Sequence, residues 1–339
     1  MRQPVVLITG AAGEIGHALI ERLSEHSGVP VVTIDLAALD EPLGRRVSRE
    51  FTGSILDRNL LENIQAKYQV DRIYHLAALL STRSEFTPVT AHEVNVTGTL
   101  NLLEFSMQQA RSHGHPVMFF YPSSIAAYGV RRGDERAEHP LLEGEFNCPT
   151  TMYGCNKLYC EHLGAYYANH YKQLDAEDHS EKVDFRSIRF PGLISALTVP
   201  SGGTSDYASE MIHAAAQSQP YACFVRPDTR IPFMTMPDAI GAMFALTEAP
   251  VRKLTQCVYN VSAFNPTAEK IEELVRKAYP AAEITYEPDA RRQAIVDSWP
   301  QAVDDKAARG DWDLAPSYDL ESAFADYLIP TIAQSYSAE

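Results

Sequence analysis

The sequence predicts an α/β fold in which helices cover both faces of a parallel sheet. Short runs of valine, isoleucine and leucine, such as PVVLITG and VVTIDL, are typical of strands that are buried on both faces. Segments with apolar residues at helical spacing lie between these runs, so strand and helix alternate along the chain. This alternation requires crossover helices between parallel strands.

The elements follow in order along the first two thirds of the chain. After PVVLITG comes a helix with Ile15, Leu19 and Leu23 on one apolar face, and VVTIDL is the second strand. NLLENIQAKYQV is predicted to be a helix and RIYHLAA the next strand. A helix begins at Val96, the strand VMFFYPSS follows, and a helix around Tyr153 precedes the strand DFRSIRFPG. The helix at Val96 is predicted from apolar residues at positions i, i+4, i+7 and i+11.

Past Pro191 the alternation weakens. AIGAMFALTEA (helix) and CVYNVS (strand) briefly restore it, AEKIEELVRKAY is an amphipathic helix, and ITYEPDARRQAIVDSWP is predicted to be a loop. We expect the tail after Ile332 to be poorly ordered. The predicted domains are therefore residues 1–191, to which 234–262 returns, and a smaller C-terminal substrate-binding lobe of 192–233 and 263–332.

Composition narrows the classes of partner and compartment. The chain has 339 residues and a formal net charge of −15, which argues against nucleic acid or an anionic membrane as a partner. No apolar run reaches the roughly 20 residues of a membrane-spanning helix. The five cysteines form no C-x-x-C pair and no zinc-like cluster with histidine, so we predict reduced thiols, no metal site and a cytoplasmic location.

A glycine pattern directly follows the first strand. Gly10, Gly13 and Gly16 in TGAAGEIG suit a tight turn, close approach of the backbone to a pyrophosphate, and packing of the following helix. Asp35 ends the second strand, where its carboxylate is suited to bind ribose hydroxyls and to repel a 2′-phosphate. A purely structural turn is the alternative. The pattern predicts a Rossmann-type doubly wound sheet that binds NAD in preference to NADP.

Further residues are predicted to contact the same cofactor. Asp57 is suited to the adenine amino group, and Leu76, Ala77 and Ala78 provide small side chains after a strand. His75, which precedes them, is predicted to be structural. The remaining predicted cofactor-binding residues are neighbours of these motifs: Glu14, Ile15 and Ile55.

Together, TGAAGEIG, Asp35, HLAA, YPSSIAAYG and YGCNK resemble the extended short-chain dehydrogenase/reductase family over nearly the whole chain. The resemblance implies a Ser/Tyr/Lys catalytic group, with Ser124 the serine by the motif S-x-x-x-Y-G and Ser123 its neighbour. Tyr153 would be the base, and Lys157 would bind the nicotinamide ribose. Asn95 resembles the asparagine that these enzymes use beside the site, although a plain polar helix residue is an equal alternative.

The pairing of Tyr153 with Lys157 has a physical reason. On a helix the two side chains leave the same face one turn apart, although a half-exposed structural helix would show the same spacing. A free tyrosine has a pKa near 10, so bringing it to neutrality requires about 4 kcal/mol of phenolate stabilisation. The Lys157 ammonium and the charge of NAD⁺ both favour phenolate. We therefore predict a lowered pKa for Tyr153.

The C-terminal segments PSGGTSDYA, PDTRIPFMTMPDAI and RRQAIVDSWP resemble the L-threonine 3-dehydrogenase branch of this family. The resemblance implies oxidation of the threonine Cβ hydroxyl to 2-amino-3-oxobutanoate. The branch usually shows GGGTTDYA where this chain has Ser201 and Ser205, and we expect activity to survive both changes. The predicted substrate-binding residues combine short hydroxyls, a carboxylate for the ammonium group and an aromatic pocket wall: Ser81, Ser123, Ser124, Tyr153, Thr204, Ser205, Asp206 and Trp299.

Alternatives remain at this point. Asp206 also fits a solvated loop, and Trp299 also fits core packing. A nucleotide-sugar epimerase or dehydratase would use the same Tyr153 and Lys157, with Arg226 and Arg230 for the diphosphate. An NAD-binding protein without catalysis is a more distant alternative. The resemblance further implies a homodimer formed by a four-helix bundle of the helices at Val96 and Tyr153.

Overall fold

The computed structural model describes residues 2–26, 28–131, 133–134, 137–175, 182–200 and 203–337. The chain divides into two compact units. The first contains Met1–Ser123, Asn156–Ile188 and Thr247–Val258, and the second contains Ser124–Cys155, Arg189–Leu246 and Tyr259–Glu339. These units group 124–155 and 234–246 with the C-terminal residues, unlike the predicted domains. The predicted bounds, 1–191 with 234–262 and 192–233 with 263–332, stay a prediction.

A seven-stranded sheet forms the centre of the first unit. Its strand order is β10-β6-β5-β4-β1-β2-β3, and the pairs β1–β2, β1–β4, β2–β3 and β4–β5 are parallel. The chain winds outward from β1 to β3 and then returns to β4 on the other side of β1, which confirms the predicted doubly wound Rossmann-type fold. The strands in chain order are β1 Gln3–Thr9, β2 Val31–Asp35, β3 Arg49–Thr52, β4 Tyr68–His75, β5 Val117–Ser124, β6 Val183–Phe190, β7 Gly192–Ile194, β8 Tyr221–Cys223, β9 Phe233–Thr235, β10 Val258–Asn260 and β11 Ile284–Tyr286.

Helices follow most strands. The longest are α6 and α7, and a π-helical turn, Glu93–Thr97, leads directly into α6. The α-helices in chain order are α1 Glu14–His26, α2 Glu41–Gly44, α3 Arg58–Lys67, α4 Ser81–Phe86, α5 Pro88–His92, α6 Gly98–His113, α7 Met152–Asn169, α8 Tyr207–Ala216, α9 Met236–Glu248, α10 Ala268–Ala278, α11 Ala290–Val296, α12 Lys306–Trp312, α13 Leu320–Ser322 and α14 Ile329–Ser337. Shorter turns are the 3₁₀ helices Ile125–Ala127 and Val251–Lys253 and the π-helix Ala323–Leu328.

Three local predictions were wrong. Tyr68–Val70 does not extend the preceding helix but begins β4, where it pairs with Gln3–Val5 of β1. The predicted loop after Ile284 contains the strand β11, paired with β8, and the helix α11, capped by the Asp289 side chain. The chain after Ile332 is helical to Ser337. In the first two cases a strand partner or a side-chain cap overrides the local sequence pattern, and in the third the Tyr336 hydroxyl lies 2.8 Å from the His213 ring nitrogen.

Each unit has its own apolar core. In the first unit, Val5, Leu7, Val32, Ile73 and Phe119 are all fully buried, as expected for strands covered on both faces. In the second unit, the Tyr207 ring meets Phe224 and Phe233 edge-on, with centroids 6.0 and 5.7 Å away. These cores fix the strand ends from which the candidate site residues project.

The surface of the long helices bears on self-association. All of α6 is described, and only Gln108, Arg111 and Ser112 are exposed on it, whereas α7 exposes Tyr159 and Tyr166. An interface needs exposed apolar area, so α7 fits the predicted bundle better than α6. The homodimer stays a prediction. In the described part of the chain, every helix is too short or too polar to span a bilayer.

Candidate active site

The glycine turn lies where β1 ends and α1 begins. Gly10 has a φ of +71°, and a Cβ there would lie 2.5 Å from the Ala77 amide nitrogen, so only glycine allows the two backbone segments to approach. A Cβ at Gly16 would lie 2.5 Å from the Ala11 carbonyl oxygen, which explains how α1 packs against the turn. Gly13 is exposed between them, and its N–H donates to the Gly10 carbonyl. The turn and the N-terminus of α1 fit the pyrophosphate of a dinucleotide.

Asp35 faces the same turn from the end of β2. One carboxylate oxygen accepts a hydrogen bond from the Ala12 amide at 2.9 Å, and the other accepts from the Ala37 amide at 3.0 Å. The side chain is half-buried and is therefore held beside the glycine turn by two backbone donors. This fixed carboxylate fits ribose hydroxyls better than a 2′-phosphate.

Asp57 has a structural role that sequence reasoning did not assign. Its Oδ1 accepts from the Asn59 and Leu60 amides at 3.0 and 3.2 Å, so it caps α3. Ile55 is buried in the core of the first unit. Its side chain packs closely on Gly98, because a Cβ at Gly98 would lie 2.4 Å from Ile55 Cδ1. The predicted contact of Asp57 with the adenine amino group stays a prediction. So do the predicted cofactor contacts of Ile55 and of Glu14 and Ile15, which lie at the half-buried start of α1.

A hydrogen-bond chain fixes the segment after β4. The buried His75 ring bonds Thr9 Oγ1 at 2.8 Å and Thr99 Oγ1 at 2.9 Å, and burial lowers the pKa of His75 to about 3. The ring is therefore neutral and structural, in agreement with the prediction. Leu76, Ala77 and Ala78 follow it, half-buried, and the Leu76 amide donates to the Thr9 carbonyl.

Asn95 holds the next part of this segment. Its side-chain amide donates to the Leu79 carbonyl at 3.1 Å and accepts from the Leu79 amide at 2.7 Å. It lies in the π-helical turn before α6, a feature found frequently at functional sites. Asn95 therefore positions the loop that leads to the half-buried Ser81, the first residue of α4.

Lys157 is buried in the first unit, with 3% of its surface exposed. Its Nζ donates to the Pro122 carbonyl at 2.6 Å and lies 4.6 Å from the centre of the Tyr121 ring. Burial lowers the pKa of Lys157 to about 8, while Cys160 and Glu161 oppose that shift. A buried ammonium with a strongly lowered pKa is typical of functional sites.

Ser123 and Ser124 have different partners although they are adjacent in β5. Ser123 donates its hydroxyl hydrogen to the buried carboxylate of Glu161, one helical turn after Lys157. Ser124 Oγ accepts from the Ala126 amide at 3.1 Å, and its side chain is half-buried in the second unit. The hydroxyl of Ser123 is thus committed to Glu161, which supports Ser124 as the serine of the candidate site.

Tyr153 and Lys157 share the continuous helix α7, four residues apart. Tyr153 packs against the core of the second unit, which also contains Ile125 and Ala126 from the turn after Ser124. The next residue, Gly154, is needed there because a Cβ would lie 2.0 Å from the Ala126 carbonyl oxygen. The Tyr-Gly pair therefore lets the first turn of α7 approach the segment after Ser124.

Burial raises the pKa of Tyr153, and desolvation is the cause. This upward shift is opposite to the lowering expected from Lys157 together with NAD⁺, which stays a prediction. A phenolate at neutral pH requires more than the roughly 4 kcal/mol that an unperturbed tyrosine needs.

The loop of predicted substrate residues lies before α8. Asp206 Oδ2 accepts from the Gly203 amide at 2.6 Å, and the Gly203 carbonyl accepts from Arg292 Nη2 at 2.8 Å. Thr204 is buried and Ser205 half-buried between them. Ser201 lies outside the described residues. Hydrogen bonds from the loop backbone to Asp206 and from Arg292 to the loop backbone therefore hold its conformation.

Trp299 is 7% exposed and belongs to the core of the second unit, so core packing is its observed environment. Its place as a pocket wall stays a prediction.

The surroundings of the two arginines considered for a sugar diphosphate, Arg226 and Arg230, do not favour such a ligand. Arg226 forms a two-pronged ion pair with Asp297, at 3.0 and 2.6 Å, and also bonds Asp228 at 3.1 Å. Arg230 donates to the Asn265 carbonyl and lines a hollow of about 570 Å³ together with Glu269 and Glu273. The carboxylates paired with Arg226, and those that line the same hollow as Arg230, disfavour a dianionic ligand.

Two residues near the site were missed by sequence reasoning. Glu161 is visible in YGCNKLYCEH only as a carboxylate one turn after Lys157, and Arg292 only as one of two adjacent arginines. Spacing alone did not distinguish either residue from a solvated surface charge. In the structure Glu161 is distinguished by its burial, and Arg292 by its hydrogen bond to the Gly203 carbonyl.

Comparisons with known proteins agree with this geometry. Residues 6–262 match the NAD dependent epimerase/dehydratase family. The mitochondrial L-threonine 3-dehydrogenase of Bos taurus is 35% identical over 94% of this chain and 80% of its own length. The holo form of a GalE-like L-threonine dehydrogenase from Cupriavidus necator is 35% identical, with a TM-score of 0.84 over 98% of this chain and 100% of that one. A monomeric L-threonine 3-dehydrogenase from a metagenome is 34% identical, with a TM-score of 0.83 over 98% and 99% of the two chains. The chain therefore belongs to the NAD dependent epimerase/dehydratase family and is an NAD-dependent enzyme of that group.

Proposed function

We propose that the protein oxidises the Cβ hydroxyl of L-threonine with NAD⁺ to give 2-amino-3-oxobutanoate. The observation that carries the proposal is the pairing on α7 of Tyr153 with the buried ammonium of Lys157. Similarity to L-threonine dehydrogenases over nearly the whole chain supports the choice of substrate.

The residues of the first unit that would hold NAD are the glycine turn, Asp35 and the segment after β4. Gly10 and Gly13 leave room for phosphate beside the backbone, and Asp35 would accept hydrogen bonds from the adenosine ribose. When bound, NAD⁺ supplies a hydride acceptor for the carbinol carbon. Lys157 would donate one N–H of its ammonium group to the nicotinamide ribose while another continues to donate to the Pro122 carbonyl.

Tyr153 would accept the proton of the threonine hydroxyl at its phenolic oxygen, and Ser124 would hydrogen-bond the same substrate oxygen and orient it. Because burial raises the pKa of Tyr153, the phenolate must be stabilised by positive charge. The Lys157 ammonium, one turn along α7, is the protein's own source of that charge. Glu161 would keep Lys157 protonated, since its carboxylate opposes the lowering of the Lys157 pKa.

The substrate would be recognised through its ammonium and carboxylate groups. Asp206 would pair with the ammonium, while Thr204, Ser205 and Ser81 would supply hydroxyls. Asp206 already accepts from the Gly203 amide, so its free lone pairs are the ones available to threonine. Ser205 retains the hydroxyl of the threonine usual at that position.

The test is NADH formation by the purified protein, followed by absorbance, with L-threonine, D-threonine, L-serine and UDP-glucose in parallel. We expect saturable NADH formation with L-threonine and none with UDP-glucose. Conversion of the UDP-sugar without response to threonine would instead identify an epimerase or dehydratase, the alternative that Arg226 and Arg230 disfavour.

Tyr153→Phe removes only the phenolic oxygen and should abolish turnover while NAD still binds. Tyr159→Phe is the matched control, because Tyr159 lies on the exposed face of the same helix. If Tyr153→Phe kept a tenth of the wild-type rate, the base would have to be another group.

A further inference from the structure

Three metal-ligating side chains meet in the first unit near the amino-terminal ends of β4 and β5. Asp71 Oδ1 lies 3.5 Å from His115 Nε2 and 3.9 Å from His113 Nε2. One ligand atom from each residue lies within 4.8 Å of the other two. The cluster is four residues from His75 along β4, about 13 Å at the usual rise of a strand, so it is separate from the cofactor residues.

Two backbone irregularities aim these side chains at one point. In the pairing of β4 with β1, Val70 faces Val5 and Arg72 faces Val6, which leaves Asp71 as the extra residue of a β-bulge. Bulges redirect a side chain out of the regular alternation. Gly114, between the two histidines, ends α6 with a φ of +80°, a left-handed conformation that reverses the chain. The imidazole rings of His113 and His115 consequently lie against each other, with centroids 3.9 Å apart and planes tilted by 32°.

The His113 ring is buried without a hydrogen bond. Its side chain is 8% exposed, and neither ring nitrogen bonds another group in the described part of the chain. Leaving a buried polar atom unpaired is unfavourable, so such an atom points to a missing ligand.

We propose that Asp71, His113 and His115 bind one divalent late first-row metal ion of the Zn²⁺ type. Two imidazoles and a carboxylate are ligands that such ions accept. At metal–ligand distances near 2.1 Å, tetrahedral ligands lie about 3.4 Å apart, so the observed separations from Asp71 need only a small closure. The Gln69 side-chain amide nitrogen contacts two of these ligand atoms, donating to Asp71 Oδ1 at 3.0 Å and lying 3.5 Å from His115 Nε2. The sequence prediction of no metal site considered only clusters that contain cysteine.

A metal here would link the end of α6 to β4. The expected consequence is a higher melting temperature of the protein with metal, because an ion that binds only the folded chain stabilises it, and more so the tighter it binds. No role in hydride transfer follows from this position.

The experiment uses the full chain without a histidine tag, treated with EDTA and dialysed, and titrated with zinc chloride in a calorimeter. We expect one saturable site per chain. His115→Ala removes an exposed side chain, leaves the core intact and should weaken zinc binding at least about tenfold, as should His113→Ala. His139→Ala is the control, because His139 is an exposed imidazole near Glu145 in the second unit.

Two results would overturn the proposal. One is the absence of saturable zinc binding to the wild type, and the other is equal affinity in His115→Ala and His139→Ala. An anomalous X-ray signal at the zinc edge, measured on zinc-soaked crystals, gives the location directly. A peak between Asp71, His113 and His115 supports the site, and a peak only elsewhere refutes it.

Discussion

Replacing Lys157 by methionine is expected to stabilise the protein at neutral pH while it abolishes activity. The ammonium is 3% exposed, and burial lowers the pKa of Lys157 from 10.5 to about 8. At 1.36 kcal/mol per unit, this shift corresponds to a penalty of about 3 kcal/mol on the folded state. Loss of the hydrogen bond to the Pro122 carbonyl offsets about 1 kcal/mol, which leaves a net gain of about 2 kcal/mol at pH 7.

The folding penalty of the buried Lys157 ammonium depends on pH in a defined direction. A base whose pKa is lowered in the folded state binds its proton more tightly when unfolded, so folding is penalised fully below pH 8. The penalty disappears as the pH rises from about 8 toward 10.5, and about 2 kcal/mol of it is gone by about pH 9.5. The stability advantage of Lys157→Met should therefore nearly vanish at the higher pH.

The assay is urea unfolding of both proteins at the two pH values, followed by circular dichroism because both tryptophans, Trp299 and Trp312, lie in the second unit. Lys67→Met, on the exposed end of α3, is the control and should change the free energy of unfolding by less than about 0.5 kcal/mol. A difference between wild type and Lys157→Met that is equal at both pH values, or a less stable variant at pH 7, would refute the reasoning.

Three other predictions concern the two units separately. Gly154→Ala places a Cβ 2.0 Å from the Ala126 carbonyl oxygen and should cost about 1–3 kcal/mol of stability together with activity, whereas Gly241→Ala, in open space on α9, should cost nothing. Equal melting temperatures for these two alanine variants would contradict the close approach. Asp35→Ala removes acceptors for the Ala12 and Ala37 amides and should weaken NAD and lower the preference for NAD over NADP, as measured by fluorescence titration of both. An unchanged preference would assign ribose recognition to another group. Asp206→Asn keeps an acceptor for the Gly203 amide but loses the charge, so KM for L-threonine should rise about tenfold or more with little change in NAD affinity. The ammonium role fails if KM for threonine is the same in both proteins.

Much of the fold was predictable because the strands are short, buried on both faces and chemically uniform. VMFFYPSS, for example, matches β5 residue for residue. The errors fell where a segment is ambiguous by itself. Tyr68–Val70 joins β4 because β1 offers it a hydrogen-bonding partner, and Ile284–Tyr286 becomes a strand only beside β8.

The candidate site was predictable where the spacing of residues along the chain determines which side chains lie together. Four residues on a helix bring Tyr153 and Lys157 to one face, and the glycine turn after β1 requires glycine at Gly10. Spacing could not reveal the direction of the Tyr153 pKa shift, because desolvation depends on what surrounds the ring. It also could not show that Asp57 caps α3 or that Asp206 closes its own loop.

The sequence by itself determined the order of strands and helices, the glycine turn, Asp35 and the Tyr-x-x-x-Lys helix, because each depends on residues close together in the chain. Only the tertiary structure decided which buried groups meet. It joined Ser123 to Glu161 and brought Asp71 to the histidines at 113 and 115, residues that are about 40 positions apart in sequence. Such contacts depend on strand register, a bulge and the burial of individual atoms, and no local pattern of residues encodes these.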